Sequence, residues 1–417
     1  MGTPLSHYRR SEERVFQTFV RELESLPAFS EELDVASVEA QTREFMRMLA
    51  GSVLKHYCET LASEIAAGFG ASLEDISTRG EAKTSFRSRV IVTSKQPAWT
   101  ATVRFVSGKA QSRVDIRSSL DDFLYGKEHA LTAIMRDWKK GLRGRLPVYF
   151  QVLSDEMRDY LFQDMPVGAH FLPAGRAGLL QSHRLLASSL VRQSAFVGIG
   201  REFSIPTLSG VVADFISEII LGRPGGTDDF AFLAERLESG VLRGRVERVD
   251  SDVEYPEIEF SDSNGKYPLH RTSSMVSELA TLVLLLRSHV RRGDLLIIEE
   301  PESHLHPRAQ AQLARILFDA SRAGIAVMLT THSDYFVSEL NIALLEEFSK
   351  RRQRSRGLTR AYATSRSESG GAQLQPLTID STDGIPQESF VDVASKQYDE
   401  HFELQDAALR KTERASS

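Results

Sequence analysis

The stretch DLLIIEEPESHLHP, residues 294–307, places acidic and histidine side chains directly after an apolar run. Glu299 and Glu300 close that run. Carboxylates at such a point can hold Mg²⁺, while a neighbouring acid orients or deprotonates an attacking water. A second apolar stretch, IAVMLTTHSD, leads to His332, whose side chain can be presented to a phosphate. These residue types indicate phosphoryl-transfer chemistry, provided that the two stretches lie side by side.

Both apolar stretches have the pattern of strands in a parallel sheet. The run DLLIIEE is continuously apolar, as expected where both faces are covered, and IAVMLTTHSD is predicted to be a second buried strand. Between them, Pro307 fits the first turn of a helix and Gly324 fits its end. Such a strand, helix, parallel strand unit is nearly always right-handed. It would put Glu300 and His332 on neighbouring strand tips.

A helix is predicted before the first of these strands, in RTSSMVSELATLVLLLRSHV. Ser273 or Ser274 is well suited to its N-cap, and the N-terminus of a helix is physically suited to an anion. The apolar face of this helix consists of Leu279, Leu282, Val283, Leu286 and Val290.

The order of these motifs resembles an ATP-binding-cassette-type ATPase. A Ser-Ser helix is followed by an apolar strand into EEPESHLHP and by another into TTHSD, and FLPAGRAGLL is similar to a segment that many such proteins carry. The pattern is most similar to AAA-domain proteins of the overcoming-lysogenisation-defect group and to ATPase heads of chromosome-maintenance proteins, over roughly residues 168–404. The resemblance implies an α/β, P-loop NTPase-like core with a mixed sheet, a helical N-terminal region and antiparallel β additions.

The resemblance also implies roles for individual residues. Glu299 stands at the Walker B metal position, where aspartate is commoner, and Glu300 stands at the catalytic carboxylate. His332 stands at the switch histidine, and His306 belongs to the loop after Walker B and is assigned to cofactor binding. ATP and Mg²⁺ are the cofactors that this resemblance implies.

Ser273 and Ser274 open the signature helix of this resemblance, which in the family touches the γ-phosphate of ATP held by the partner subunit. Met275 stands where many relatives have glycine, the residue that allows the closest backbone approach to phosphate. The resemblance therefore implies that both serines bind the cofactor and that the partner is a second copy or a companion ATPase chain.

A phosphate-binding loop of the form Gly-X4-Gly-Lys-Ser/Thr does not occur in the sequence. The Gly-Lys pairs that begin at Gly108, Gly126 and Gly265 lack both the first glycine and the final hydroxyl residue. In relatives this loop precedes everything seen here. Three explanations are open: a truncated reading frame, a split ATPase whose loop lies on a companion chain, and a degenerate ATPase kept as a scaffold. The intact acids and switch histidine favour the first, and the chain alone is expected to be inactive.

A metal-dependent hydrolase is another interpretation of the same stretch. In it, Glu302, His304, His306 and His332 would ligate the metal, since His-X-His at a strand exit is a known ligand pattern. Pro307 and the order of the motifs favour the ATPase. A non-enzymatic binding or scaffold protein built on the same fold is the other rival.

Composition and charge limit the cellular setting. The chain has 417 residues, a net charge of −6 and a single cysteine, Cys58, which fits a reducing cytoplasm and a core position. Its apolar runs are too short to span a membrane. Basic clusters at 139–145 and 350–356 are interpreted as solvated helix ends or linkers. Nucleic acid as a partner, and a role in defence against foreign DNA, rest on family analogy.

Five segments are expected along the chain. Within the predicted ATPase core at 166–350, Asn264 and Gly265 predict a hairpin turn with positive backbone dihedral angles. The segments are a helical N-terminal region at 1–84, a β-meander with a helical segment at 85–165, the ATPase core at 166–350, a C-terminal β-hairpin and helix at 351–404, and a frayed tail at 405–417.

Overall fold

The chain forms two compact units, Met1–Pro166 with Thr207–Val211 and Val167–Pro206 with Val212–Ser417. The division into five segments stays a prediction. The computed structural model describes residues 47–58, 87–95, 98–106, 109–117, 146–182, 209–221, 228–249, 257–350, 359–366 and 372–415, with gaps at 48, 52, 56, 164 and 167.

The first unit contains an antiparallel sheet of β1 (Arg87–Lys95), β2 (Ala98–Val106) and β3 (Lys109–Ile116), in that order. The predicted meander is therefore confirmed. Helix α1 (Leu146–Leu161) belongs to the same unit. The indole N–H of Trp99, which is buried, donates to the carbonyl oxygen of Leu161 at 2.7 Å. This bond gives the one polar atom of a large apolar side chain its partner.

Part of the predicted N-terminal helical region is described. Residues 47–58 are helical at every described position, and Cys58 is buried, as predicted. The rest of the helical region predicted for 1–84, and the basic residues at 139–145 and 351–356, lie outside the described residues.

Strand β4 (Ala169–Leu172) opens the second unit, and the chain is helical at 176–182 after a turn, as FLPAGRAGLL predicts. Helix α2 (Gly210–Leu221) follows. Helix α3 (Ala231–Arg236) then continues directly into a π-helical segment, Leu237–Leu242. Single π-helical turns of this kind are rare and break the regular i to i−4 ladder.

The π-helical segment is fixed by the buried carboxylate of Glu238. One oxygen accepts the backbone N–H of Val246 at 2.7 Å, in β5 (Arg245–Val249), and the other accepts the guanidinium of Arg287 at 2.5 Å. The same guanidinium donates to the carbonyl oxygen of Val246 at 2.6 Å. Because a buried carboxylate is costly unless it is paired, this network satisfies Glu238 and joins the segment to the sheet.

The predicted hairpin is formed by β6 (Glu257–Asp262) and β7 (Gly265–Pro268), and β5 adds a third antiparallel strand beside β6. Gly265 has a positive φ of 149°. Asn264 does not have positive φ, so this part of the turn prediction is wrong. Instead, the Asn264 backbone N–H donates to Asp262 Oδ1 at 2.8 Å, and this aspartate turn takes the place of the expected conformation.

The remaining core elements alternate along the chain as α4 (Ser274–Ser288), β8 (Leu295–Glu299), α5 (Pro307–Ala323), β9 (Ala326–Thr330) and α6 (Asp334–Lys350). Strands β4, β8 and β9 form a parallel sheet in that order. The mixed α/β fold class is therefore confirmed, and the architecture is consistent with a P-loop NTPase-like core.

Local signals place both core helices. Ser273 caps α4 by accepting the Val276 backbone N–H at 3.4 Å; Pro307 opens α5, and Gly324 ends it with φ of 110°. Helix α4 is buried on all sides through its middle, as expected of a helix with apolar residues around most of its circumference. The residues predicted to face the core are buried: Leu279, Leu282, Val283, Leu286, Val290, Leu313, Ile316, Leu317 and Ala320.

Strand β9 corrects the prediction of a second buried strand. Ala326, Met328 and Thr330 are exposed, and 59% of the Met328 surface is accessible. Within the described residues β9 pairs with β8 alone and is an edge strand. The apolar composition of IAVML gives the strand correctly, but composition does not say which elements cover it.

The C-terminal part contains a hairpin of β10 (Ala361–Arg366) and β11 (Ala372–Leu377), followed by α7 (Glu388–Ala415). The predicted hairpin and helix are confirmed. Helix α7 continues past residue 404 to Ala415, so the helix does not end at the boundary expected between the C-terminal segment and the tail. Among the described residues no helix is long and apolar enough to cross a membrane.

His170, in β4, is buried between carboxylates of two other elements. Its Nδ1 lies 2.7 Å from Glu218 Oε1 in α2, and its Nε2 lies 3.0 Å from Asp294 Oδ2, just before β8. Burial acts to lower the pKa of His170. The two hydrogen bonds and the two negative charges together outweigh it and raise that pKa. The imidazolium form, in which both ring nitrogens donate, therefore joins three elements of the second unit.

We expect the free energy of unfolding to fall as pH rises through the raised pKa of His170. Because the folded pKa exceeds the ordinary value of about 6.5, this stabilisation is fully present below about pH 6.5 and is lost at higher pH. Urea unfolding between about pH 6 and pH 9 measures it, with His170→Gln as the variant that lacks the titrating group. Parallel pH dependences of the two proteins would contradict the assignment.

Candidate functional site

The carboxyl ends of β8 and β9 meet at one edge of the parallel sheet. Glu299 lies opposite Thr330 in the register. The backbone N–H of Glu300 donates to the carbonyl oxygen of Thr330 at 3.1 Å and lies 3.2 Å from its hydroxyl oxygen. Glu300 directly follows β8 and His332 lies two residues beyond the end of β9, so both lie on neighbouring strand tips, as predicted.

The loop after β8 has a constrained backbone. Glu300 has φ of 42° and His304 has φ of 60°, both in the left-handed region that is unfavourable for residues with a side chain. The Ser303 backbone N–H donates to the carbonyl oxygen of Glu300 at 3.0 Å, and its hydroxyl donates to Glu300 Oε2 at 3.1 Å. Such conformations cost roughly 1–3 kcal/mol each and persist where the surroundings enforce them. Strained conformations cluster at functional sites, so the loop is a candidate for one.

Glu299 is half-buried at the end of β8. Its Oε2 accepts the backbone N–H of Ala174 at 3.2 Å, in the turn after β4. Mg²⁺ is held in many sites by one or two carboxylates together with water and phosphate oxygens. Glu299 and Glu300 are partly exposed at consecutive positions and fit this requirement. A magnesium ion would be held by Glu299 under this arrangement.

Glu302 is buried and links the two loops. Its Oε1 accepts the backbone N–H of His332 at 2.6 Å, and its Oε2 has no hydrogen-bond partner among the described residues. The sequence suggests Glu302 only as a metal ligand in the alternative hydrolase interpretation. No pattern in the sequence pairs it with a backbone amide 30 positions away, so this positioning contact was missed.

The predicted histidines have different environments. His332 is exposed. His306 is exposed and caps α5, where its Nδ1 accepts the backbone N–H of Arg308 at 3.3 Å. His304 has a side chain that is 63% exposed, with Nε2 4.0 Å from Glu278 Oε1. Among the described residues no group of three or more His, Cys, Asp or Glu side chains is arranged to hold a metal ion. The four-ligand hydrolase site is therefore not formed in this structure.

Ser273 and Ser274 are exposed at the start of α4. Glu278, one turn into this helix, contacts the guanidinium of Arg176 at 3.0 Å, and that guanidinium also donates to the carbonyl oxygen of Glu299 at 3.0 Å. The N-terminus of α4 therefore lies at the same end of the sheet as the acids. The structure thus brings the predicted serines, carboxylates and histidines to one edge, while their roles in binding and catalysis stay predictions.

The charge of the site is dominated by carboxylates. Burial lowers the pKa of the Arg176 guanidinium, and the charges of Glu278, Glu302 and Glu300 oppose that effect. Burial likewise raises the pKa of Glu278, against the opposing charge of Arg176. Among the described residues, the buried Arg176 is therefore surrounded by the carboxylates of Glu278, Glu300 and Glu302, and this concentration of acids favours a divalent cation at this edge.

Comparison with known families finds one match. Residues 233–338 match the family described as "AAA domain, putative AbiEii toxin, Type IV TA system". This segment runs from α3 into α6 and contains the serines, the carboxylates and His332, but it is less than half of the chain. It supports an AAA-type ATPase domain. No curated protein matches the chain.

Several solved structures are similar at low sequence identity. The SMC head domain from Thermotoga maritima is 10% identical, with 70% of this chain and 73% of that chain covered and a TM-score of 0.32. A Smc head domain with a coiled coil and joint derived from Pyrococcus yayanosii is 14% identical, with 91% and 65% covered and a TM-score of 0.27. The SmcHead bound to the C-winged helix domain of ScpA is 11% identical, with 67% and 68% covered and a TM-score of 0.34. Superpositions this loose assign no role to any residue.

We expect Glu302→Ala to destabilise the protein by about 1.5–3 kcal/mol, because the His332 amide loses a charged acceptor in a buried position. Glu302→Gln is the matched control. It keeps an acceptor oxygen and places its amide nitrogen where an unpartnered oxygen now lies, so the loss should be small. Urea unfolding of the wild-type protein and the two variants measures the free energy of unfolding of each. Equal decreases in the two variants would contradict the contact between Glu302 and the His332 amide.

Proposed function

We propose that this chain carries the catalytic carboxylates of an ATPase. The observation that carries the proposal is the bond from the Glu300 amide to the Thr330 carbonyl oxygen, which sets the acids after β8 beside His332 after β9. The family match at 233–338 covers all of these residues and supports it. The acidic, partly exposed edge is suited to Mg²⁺ and to the phosphates that accompany it.

Each residue has a role that its position supports. Glu299 would hold Mg²⁺, which when bound neutralises charge on the β- and γ-phosphates. Glu300, held in its strained turn by Ser303, would orient or deprotonate the attacking water. His332, exposed and fixed through its amide by Glu302, would contact the γ-phosphate. His306, exposed at the start of α5, would line the nucleotide.

The phosphate loop that such a site needs does not occur in these 417 residues. We propose that a companion polypeptide or an additional segment supplies it. Among the described residues β9 has one strand neighbour, β8, and exposes Met328. A strand added in parallel beside β9 would end at the same edge as Glu300 and His332, and would deliver its following loop to the phosphates.

Assembly and cellular setting are further parts of the proposal. The exposed N-terminus of α4, with Ser273 and Ser274, would contact the nucleotide of a second subunit in a two-fold dimer, in which one substitution affects both sites. A cytoplasmic role on nucleic acid or in defence against foreign DNA rests on the resemblance to the overcoming-lysogenisation-defect group and to chromosome-maintenance heads. A completed enzyme whose turnover does not respond to DNA would argue against that role.

We expect the chain alone to bind Mg-ATP more weakly than about 1 μM and to undergo no nucleotide-driven dimerisation, because the loop amides and lysine provide most phosphate contacts. Titration calorimetry measures the affinity for Mg-ATP. Sedimentation with and without Mg-ATP measures dimerisation. Micromolar binding by the chain alone would show that its phosphate loop had been misread. A companion or upstream segment that still gives no ATP binding would favour the scaffold.

In the completed protein, Glu300→Gln should slow ATP turnover by about 10²-fold or more and leave nucleotide binding unchanged, because the lost interaction acts on the transition state. His332→Ala should act in the same direction, but less severely. Glu388→Gln, at an exposed acid in the first turn of α7, is the matched control and should leave turnover unchanged. Normal turnover in Glu300→Gln would exclude the catalytic role.

A further inference from the structure

Arg176 is a buried cation of the second unit that contacts both the end of β8 and helix α4. It lies in the helical stretch after β4, with only 1% of its surface exposed. Its Nη1 donates to the carbonyl oxygen of Pro173 at 3.2 Å and to that of Glu299 at 3.0 Å. Its Nε donates to the carbonyl oxygen of Glu278 at 3.1 Å and lies 3.0 Å from the Glu278 carboxylate. One planar group therefore spans three elements.

The contacts have an unusual distribution for an ion pair. Glu278 Oε2 is within ion-pair distance of Arg176, yet it is a buried oxygen without a hydrogen-bond partner among the described residues. The directed hydrogen bonds of the guanidinium go instead to the backbone carbonyls of Glu278, Glu299 and Pro173. A pair that served charge neutralisation alone would use the side-on geometry in which Arg donates twice to a carboxylate. The geometry here favours a role in holding backbone.

The three carbonyl groups that Arg176 contacts belong to three segments around the candidate site. Glu299 is the residue that would hold Mg²⁺, Pro173 directly follows β4 and precedes the turn that contacts Glu299, and Glu278 lies one turn from the exposed N-terminus of α4. Arg176 therefore sets the separation between the carboxylates and the helix start that would meet a second subunit's nucleotide. A lysine is not an equivalent replacement, because its single nitrogen cannot reproduce donors on two separate guanidinium nitrogens, Nε toward Glu278 and Nη1 toward Pro173 and Glu299.

We infer that Arg176 is a positioning residue that couples the N-terminal turn of α4 to the carboxylate loop after β8. The inference deepens the proposed ATPase and rests on it for its functional meaning. In that setting, a shift of the carboxylate loop on nucleotide binding would move the start of α4 through one side chain. Arg176 itself touches neither the nucleotide nor the reacting atoms.

Hydrogen–deuterium exchange on the full chain without nucleotide tests the coupling. In Arg176→Met, we expect the amides of residues 274–280 and 300–305 to exchange about tenfold faster or more, with a loss of global stability measured by urea unfolding. Arg315→Met is the matched control, because Arg315 forms ion pairs with Glu339 and Glu346 away from the strand end. It should change exchange only in α5 and α6.

The double variant Arg176→Met with Glu278→Leu separates positioning from simple ion pairing. An apolar pair in place of a buried ion pair often restores stability. We expect unfolding stability to recover while exchange at 300–305 stays fast, since the Glu299 carbonyl still lacks its donor. Recovery of both quantities would overturn the inference, and so would unchanged local exchange in Arg176→Met.

A third variant keeps the test decisive if Arg176→Met does not fold. Arg176→Lys retains the charge toward Glu278 but not the three-carbonyl geometry, so exchange at 300–305 should rise, and unchanged exchange would overturn the inference. No nucleotide is present in these measurements. A negative result would therefore count against the coupling by Arg176 but not against the ATPase proposal, which the turnover of Glu300→Gln tests separately.

Discussion

The parallel register of β8 and β9 is the constraint on which the site depends. With Glu299 opposite Thr330, the first residue beyond β8 bonds to the last residue of β9, and both loops begin at the same depth. A slip of one residue would turn every side chain of a strand to the other face and separate Glu300 from the loop that carries His332. The register is specified by the buried Leu296 and Ile298 in β8.

The site is assembled from locally unfavourable parts. Two residues with left-handed backbone, a buried ion pair and a Glu302 oxygen that has no hydrogen-bond partner in the described part of the chain lie within one loop and its neighbours. Each of them costs free energy, and each persists only because the surrounding elements are rigid. The offset comes from α4 and α5, whose apolar residues are packed in one continuous core with β8. The strained loop at the end of β8 therefore depends on the apolar burial of the helices that pack against this strand.

Local signals made much of the core predictable. Ser273, Pro307 and Gly324 mark helix ends through capping and backbone geometry, which depend on neighbouring residues alone. The contacts of Arg176 and Glu302 could not be predicted, since their partners lie 102 and 30 positions away and no periodicity relates them. The exposure of β9 was also missed, because an apolar run gives a strand without naming the elements that cover it.

The surface around the ends of β8 and β9 combines partly exposed carboxylates, exposed polar side chains and an exposed apolar side chain. The Nη1 of Arg176 donates to the backbone carbonyl oxygens of Pro173 and Glu299, while the side chains of Glu299 and Glu300 are partly exposed. Exposed His332 and Ser274 lie at the same edge, and β9, the strand that leads to His332, exposes Met328. A parallel sheet is normally covered on both faces, and excess carboxylate charge normally has a cation. In the ATPase that we propose, a strand added beside β9 would meet both needs, because it would cover this edge and its following loop would bring a lysine and Mg²⁺-bound phosphate to the carboxylates.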